Sequence, residues 1–221
     1  MMTNLFSTFD PATSIKISMN WMSSILCLSI LPMKFWNMMN RIEMLWMKIM
    51  YKLHQEFKML LGTNYKGITM MTITLFLMIL INNLLGILPY IFTSSSHLTF
   101  SLTLALPMWL SLMIFGWINK TNYMFAHLIP AGTPSMLMPF MVMIETISNI
   151  MRPGSLAVRL TANMIAGHLM MSLLGNNSIN SNWILMIFII QMMLMLFESA
   201  VAMIQAYVFS VLSTLYSSEI A

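Results

Sequence analysis

Charged residues are scarce in this sequence. Only 7% of its 221 residues are Asp, Glu, Lys or Arg, whereas a soluble domain carries about 25%. So few charges cannot cover the surface of a water-soluble globule of this length, and 59% of the residues are hydrophobic. The composition therefore predicts a protein embedded in a lipid bilayer.

Several motifs are also missing. The single cysteine, Cys27, excludes an internal disulfide framework and any CxxC metal or redox motif. The Lys and Arg residues behind the net charge of +4 are scattered, which argues against a nucleic-acid partner. No Gly-rich phosphate loop with a lysine is present, so we expect no nucleotide site in this chain. We predict no cofactor and no bound metal.

The first residues of the chain lack a targeting signal. Residues 1–16 are neither an Arg-rich transit peptide nor a secretory signal with a small-residue cleavage site. A hydrophobic protein without such a signal is expected to be made in the compartment where it works. The 30 methionines fit an organelle whose genetic code reads an extra codon as Met, because Met replaces Ile or Leu in a membrane core at little loss of packing.

Long apolar runs predict the fold class. We expect an all-α integral membrane protein, a single membrane domain over residues 1–221, with about five membrane helices. The predicted membrane helices cover residues 17–33, 68–88, 98–118, 139–174 and 183–216. Residues 37–61 instead combine a helical apolar periodicity with a mostly basic face. This pattern predicts an amphipathic helix that lies in the membrane interface or docks on a partner protein.

The last two predicted helices are longer than an upright crossing requires. A helix of about 35 residues is about 50 Å long, whereas the hydrocarbon core is about 30 Å thick. We therefore predict a strongly tilted antiparallel hairpin. With five crossings, nearly all Lys and Arg residues fall on one side of the membrane. The positive-inside rule then puts the N-terminus outside and the C-terminus inside.

Ionisable residues fall within this predicted hairpin. A charge at mid-bilayer costs about 2.5–3.5 kcal/mol on insertion scales, so each such residue is expected to have a use or a partner. Seven-residue spacing places several polar side chains near one stripe of each helix. The first stripe holds Glu145, Arg152 and Arg159, with Asn163 one turn later, and the second holds Glu198 and Gln205. His168 falls near the opposite face of its helix.

The chemistry of these side chains suits proton transfer. Arginine stays protonated, so Arg159 cannot relay a proton, but it can hold a nearby carboxylate in its ionised form. At 4 Å and an effective dielectric of about 20, that attraction is about 4 kcal/mol, or roughly three pK units. His168 and Glu198 can take up and release protons if their surroundings tune them.

Less specific interpretations exist for the same residues. Arg159 can form a structural ion pair with Glu198 or Glu145, and His168 can be a helix-packing residue. The amide of Gln205 can bond neighbouring helices. Beside Pro153, Arg152 can extend its charge to a membrane edge.

Two runs of sequence resemble the subunit a family of F-type ATP synthases in its mitochondrial form. They are RPGSLAVRLTANMIAGH at 152–168 and FESAVAMIQAYVFSVL at 197–212, with NNLLGILPY and HLIPAGTP in support. The resemblance covers essentially the whole chain. It implies a proton-translocating Fo subunit of the mitochondrial inner membrane, with the N-terminus in the intermembrane space. The implied partners are the c-subunit ring, other peripheral-stalk and membrane subunits of Fo, the lipid bilayer and protons.

The resemblance also implies roles for single residues. Arg159 matches the essential arginine that faces the c ring between two aqueous half-channels. Glu145 matches a carboxylate of the matrix half-channel, and Glu219 and Arg152 are further candidates, Glu219 on the matrix path. The half-channel from the intermembrane space is matched by Asn163, His168, Glu198 and Gln205. Many bacterial members carry Glu in place of His168 and His in place of Glu198, so this pair is expected to act jointly.

Two other classes of membrane protein are alternatives. A proton-pumping subunit of the respiratory chain would more often carry mid-membrane lysines or internal repeats, and this chain has neither. A purely structural subunit would not need an arginine in the middle of an apolar helix.

Overall fold

The computed structural model describes residues 5–13, 17–32, 38–62, 66–129, 134–178 and 183–220. Every regular element within these ranges is a helix, so the all-α fold class is confirmed. Among the residues that the structure describes, four helices are long and apolar enough to cross a membrane, and a shorter apolar helix covers Met19–Ile30. The chain is therefore an all-α integral membrane protein.

Within the described ranges, seven α-helices follow one another along the chain. They are α1 (Ser23–Ile30), α2 (Arg41–Leu61), α3 (Lys66–Ile87), α4 (Leu98–Asn119), α5 (Thr121–His127), α6 (Met138–Ser178) and α7 (Ile184–Ile220). Short 3₁₀ turns cover Leu5–Phe9, Met19–Met22 and Ser94–Ser96. The predicted first membrane helix, 17–33, is thus helical over only part of its length, and its residue 33 lies outside the described ranges.

Local chemistry sets the ends of the first two α-helices. After α1, Leu31 is extended (φ −66°, ψ 127°), because a residue before proline, here Pro32, avoids the helical region. At the start of α2, the backbone N–H of Asn40 donates to Glu43 Oε2 at 3.0 Å within a capping box. At its end, Gly62 adopts φ 77°, a conformation that glycine adopts without strain.

The predicted interfacial helix, 37–61, corresponds to α2, and its residue 37 lies outside the described ranges. The C-terminal half of α2 buries Leu53, Phe57 and Leu61 against α3 and α7. In the N-terminal half, Ile42 is 71% exposed. The burial of one end favours docking on the helix bundle there, while placement of the helix in the membrane interface stays a prediction.

The core of the bundle forms where α3 packs on α7 and α4 packs on α6. Ile79, Ala157 and Ala206 are fully buried there. Small side chains such as the two alanines let helix backbones approach closely, which is a common basis of helix packing in membranes. Phe57 of α2 belongs to the same core and is also fully buried.

The two longest helices, α6 and α7, form an antiparallel hairpin. They contain 41 and 37 residues and are therefore about 60 Å and 55 Å long. Pro153 lies inside α6, which continues through it. One face of α6 is buried from Pro153 to Met164, while the opposite face is exposed. Both helices are longer than the hydrocarbon core is thick, which favours the predicted tilt.

Candidate functional site

The register of the α6–α7 hairpin creates two separate polar regions. Near one end, Arg152 of α6 lies beside Glu219 and Tyr216 of α7. Farther along, Gly167 of α6 lies beside Glu198 of α7. At 1.5 Å per residue, residues 152 and 167 are separated by about 22 Å along the helix. The contacts of the polar side chains predicted from the sequence therefore fall into two groups along the hairpin.

The first group, which we call the Arg152 cluster, consists of Arg152, Glu145, Glu219 and Tyr216. The Arg152 guanidinium lies 3.6 Å from Glu145 Oε1 and donates to Glu219 Oε2. It also lies over the ring of Tyr216, 4.9 Å from the centroid, a favourable cation–π arrangement. Arg152 is thus paired with both helices of the hairpin rather than extended alone to a membrane edge. Two carboxylates share one guanidinium, so the cluster carries a net negative charge when both carboxylates are ionised.

The second group contains Glu198 and His168. A Cβ atom added at Gly167 would overlap the Glu198 carboxylate, and it would lie only 2.9 Å from Glu198 Cγ. Glycine at 167 therefore leaves the space that the carboxylate occupies. Glu198 Oε2 is buried and has no hydrogen-bond partner among the described residues. His168 directly follows Gly167, so its backbone lies one residue from this carboxylate.

His168 lines a cavity of about 630 Å³. The wall also includes Phe9, Tyr90 and Gln191. The Phe9 ring meets the imidazole edge-on at 6.1 Å between centroids, and the carbonyl of Phe9 lies 2.9 Å from His97 Nε2. The buried Nε2 of His168 forms no hydrogen bond in the part of the chain that the structure describes. The imidazole is therefore a polar group at the edge of an open space.

Arg159 lies between the two groups, near the middle of α6. Its side chain is exposed, as are its neighbours Val158 and Ala162. Among the described residues it forms no ion pair. Glu145 is instead paired with Arg152, and Glu198 lies beside Gly167, about 12 Å farther along α6 than Arg159. The internal ion pair considered from the sequence does not form between the described side chains.

Asn163 and Gln205 are the remaining predicted site residues. Both side chains are half-buried. Asn163 lies one turn from Arg159 toward Gly167. The hairpin register, with Gly167 beside Glu198 and Arg152 beside Tyr216, brings residue 205 of α7 to within one helical turn of the level of Arg159, on the side toward Gly167. These two amides therefore lie on the portion of the hairpin between Arg159 and Glu198.

Sequence reasoning missed Tyr216 of the Arg152 cluster and three further polar residues at these sites. Gln191 lines the cavity beside His168, and its position seven residues before Glu198 is the signal that points to it. Beside the Arg152 cluster, a small pocket is lined by Asn149 and His127. Asn149 is one turn before Arg152, but His127 precedes α6 by many residues, and no spacing in the sequence indicates that it lies there.

Comparison with known proteins gives one consistent result. Residues 17–218 match the family model of the ATP synthase A chain. The chain is 60% identical to the ATP synthase subunit a of Locusta migratoria over 224 residues, and the match covers 100% of both chains. Proteins of the same name from Aedes aegypti and Drosophila melanogaster are 60% and 59% identical, again over 100% of both chains.

Proposed function

The chain belongs to the ATP synthase A chain family, and we propose that it conducts protons through two half-channels that meet at Arg159. Membership makes it a proton-translocating Fo subunit, a multi-pass protein of the mitochondrial inner membrane that takes part in ATP synthesis. What we propose is the route of the proton through this chain and the carboxyl group of another subunit that Arg159 faces. ATP formation is assigned to other subunits of the synthase, since this sequence has no phosphate-binding loop.

One observation carries the proposal: Arg159, at the middle of α6, is exposed and pairs with no acid among the residues that the structure describes. A cation at mid-bilayer costs about 2.5–3.5 kcal/mol on insertion scales, and no described acid of this chain offsets that cost. A carboxyl group on another subunit supplies the missing partner. At about 4 Å and an effective dielectric of about 20, it gains about 4 kcal/mol by ionising. A protonated acid that reaches Arg159 therefore loses its proton.

The outer half-channel begins at the cavity beside His168. The buried Nε2 of His168 and Oε2 of Glu198 have no described protein partner, and an unsatisfied buried polar atom costs about 1–3 kcal/mol. Water supplies such partners when a site is roomy and polar. The path then runs from the cavity past His168 and Glu198, and along Asn163 and Gln205, to the level of Arg159.

The inner half-channel is assigned to the Arg152 cluster. Glu145 and Glu219 accept protons there, and the Arg152 guanidinium keeps the two carboxylates from repelling each other. The cluster is seven residues, or about 10 Å, from Arg159 along α6. Asn149 adds an amide that can orient water toward the two acids.

Rotation of a ring of c subunits connects the two paths. A proton from the outer path neutralises a ring carboxylate, which can then face lipid. Rotation brings another protonated carboxyl to the inner path, where it releases its proton. Arg159 lies between the paths and repels a proton that would pass directly. One charge crossing 100 mV releases about 2.3 kcal/mol, which drives the rotation.

The positions of the two chain ends support the orientation. Phe9 lies at the His168 cavity, whereas Glu219 lies at the Arg152 cluster. Phe9 and Glu219 therefore lie at different levels of the hairpin, which supports an odd number of crossings between these two residues. We assign the N-terminal side to the intermembrane space and the C-terminal side to the matrix, in agreement with the positive-inside rule, which puts most of the lysines, including those of α2, on the matrix side.

Substitution of the arginine tests the proposal. In assembled synthase, Arg159→Gln should reduce coupled ATP synthesis to background, because no fixed charge then ionises the ring acid. Val158→Ala, one residue away and also exposed, is the matched control and should stay within about twofold of the parent. Coupled synthesis that survives Arg159→Gln would refute the proposed role of Arg159 between the two half-channels.

A further inference from the structure

We propose that Gln191 positions water at the entrance of the outer half-channel, an inference that rests on the proposed function. Gln191 lies on α7 and lines the same cavity as His168. Its side chain is half-buried. The other α7 side chains in this wall are Phe188, Met192 and Met195, so Gln191 is the polar group that this helix gives to the described cavity lining.

The spacing of α7 links Gln191 to the proton path. Gln191, Glu198 and Gln205 are seven residues apart, which keeps them close to one stripe of the helix. Each step along this stripe is about 10 Å. Hydrogen-bonded waters lie about 2.8 Å apart, so about three water molecules connect the Gln191 amide to the Glu198 carboxylate.

The chemistry of an amide suits this place. Glutamine offers two donors and an acceptor, so it can hold a water molecule in either orientation, yet it binds no proton of its own at neutral pH. A carboxylate at the entrance would instead add a negative charge at neutral pH, and an aliphatic side chain would leave the first water without a partner. The cavity of about 630 Å³ has room for about 20 waters at about 30 Å³ each.

Thiol labelling measures whether water reaches this position. In assembled synthase with Cys27→Ala as the parent, Gln191→Cys is compared with Met193→Cys, which is 66% exposed on α7 but does not line the cavity. A membrane-impermeant methanethiosulfonate reagent is added from the intermembrane-space side. We expect position 191 to react at least tenfold faster than position 193. Equal or slower reaction at 191 would overturn the proposal.

Proton conductance of the membrane sector measures the positioning role. Gln191→Leu should lower passive proton conductance five- to tenfold, and Gln191→Asn should recover at least half of that loss. Met193→Leu is the matched control and should leave the conductance unchanged. A purely structural role predicts no recovery by asparagine, and that result, or full conductance with leucine, contradicts the inference. The proposed function is tested separately: it is refuted if the Arg159→Gln variant retains coupled ATP synthesis. Thiol labelling at position 191 reports water access in either case.

Discussion

Replacing Gly167 by alanine separates the stability of α6 from the position of the Glu198 carboxylate. Alanine stabilises a helix interior by about 1 kcal/mol relative to glycine, so the helix itself should gain from the change. The added methyl group, however, would occupy the space of the carboxylate, with Glu198 Cγ only 2.9 Å from the new Cβ. The side chain must therefore turn to another rotamer, which moves its oxygens by more than 1 Å. A displacement of that size can reduce a positioned reaction about 100-fold.

The assay is passive proton conductance in membrane vesicles from which the catalytic sector has been removed. Gly167→Ala should lower the conductance between about tenfold and 100-fold, while the assembled complex stays at least as stable as the parent. Gly175→Ala is the matched control, because a Cβ there meets no atom within 4 Å and the gain in helix propensity is the same. Equal conductance in the two variants would refute the placement of Glu198 against Gly167 or its role in the path.

Three further substitutions test the Arg152 cluster and the core. Arg152→Gln leaves Glu145 and Glu219 facing each other without a cation. Proton release on the matrix side, measured after a pH jump, should therefore slow more than in Glu219→Gln. An equal effect of the two substitutions would argue against a guanidinium shared by both carboxylates. Phe57→Ala empties a fully buried site in α2 and should lower the stability of its packing by about 3–5 kcal/mol. The expected result is faster proteolysis of α2 in the assembled complex. Proteolysis at the parental rate would show that α2 does not depend on this contact.

The long helices and their polar residues could be predicted from the sequence. Predominantly apolar runs of more than 20 residues have few solutions in lipid other than helices, which is why α3, α4, α6 and α7 could be anticipated. Charges at seven-residue spacing within such runs identified Glu145, Arg152 and Arg159 before any contact was known. The resemblance of residues 152–168 to a known family then implied the functional class, which the comparisons confirm.

The partners of those charges could not be predicted, because they depend on the register between α6 and α7. A shift of one turn in the hairpin would bring a different residue of α7 to Arg152. The pairing of Arg152 with Glu219, and the distance between Arg159 and Glu198, follow from that register alone. Gln191 was missed for a related reason, since a glutamine in an apolar helix is informative only once the cavity beside it is known.

Cross-linking measures most directly whether the exposed face of α6 at Arg159 meets the ring. Cysteines at Val158, 52% exposed, and at the fully buried Ala157 are each combined with cysteines along the outer helix of the ring subunit. The account predicts disulfide formation with the ring from position 158 and none from position 157. If position 158 forms no disulfide with any ring position but reacts with a lipid-soluble thiol reagent, Arg159 faces lipid and the two-path account is contradicted.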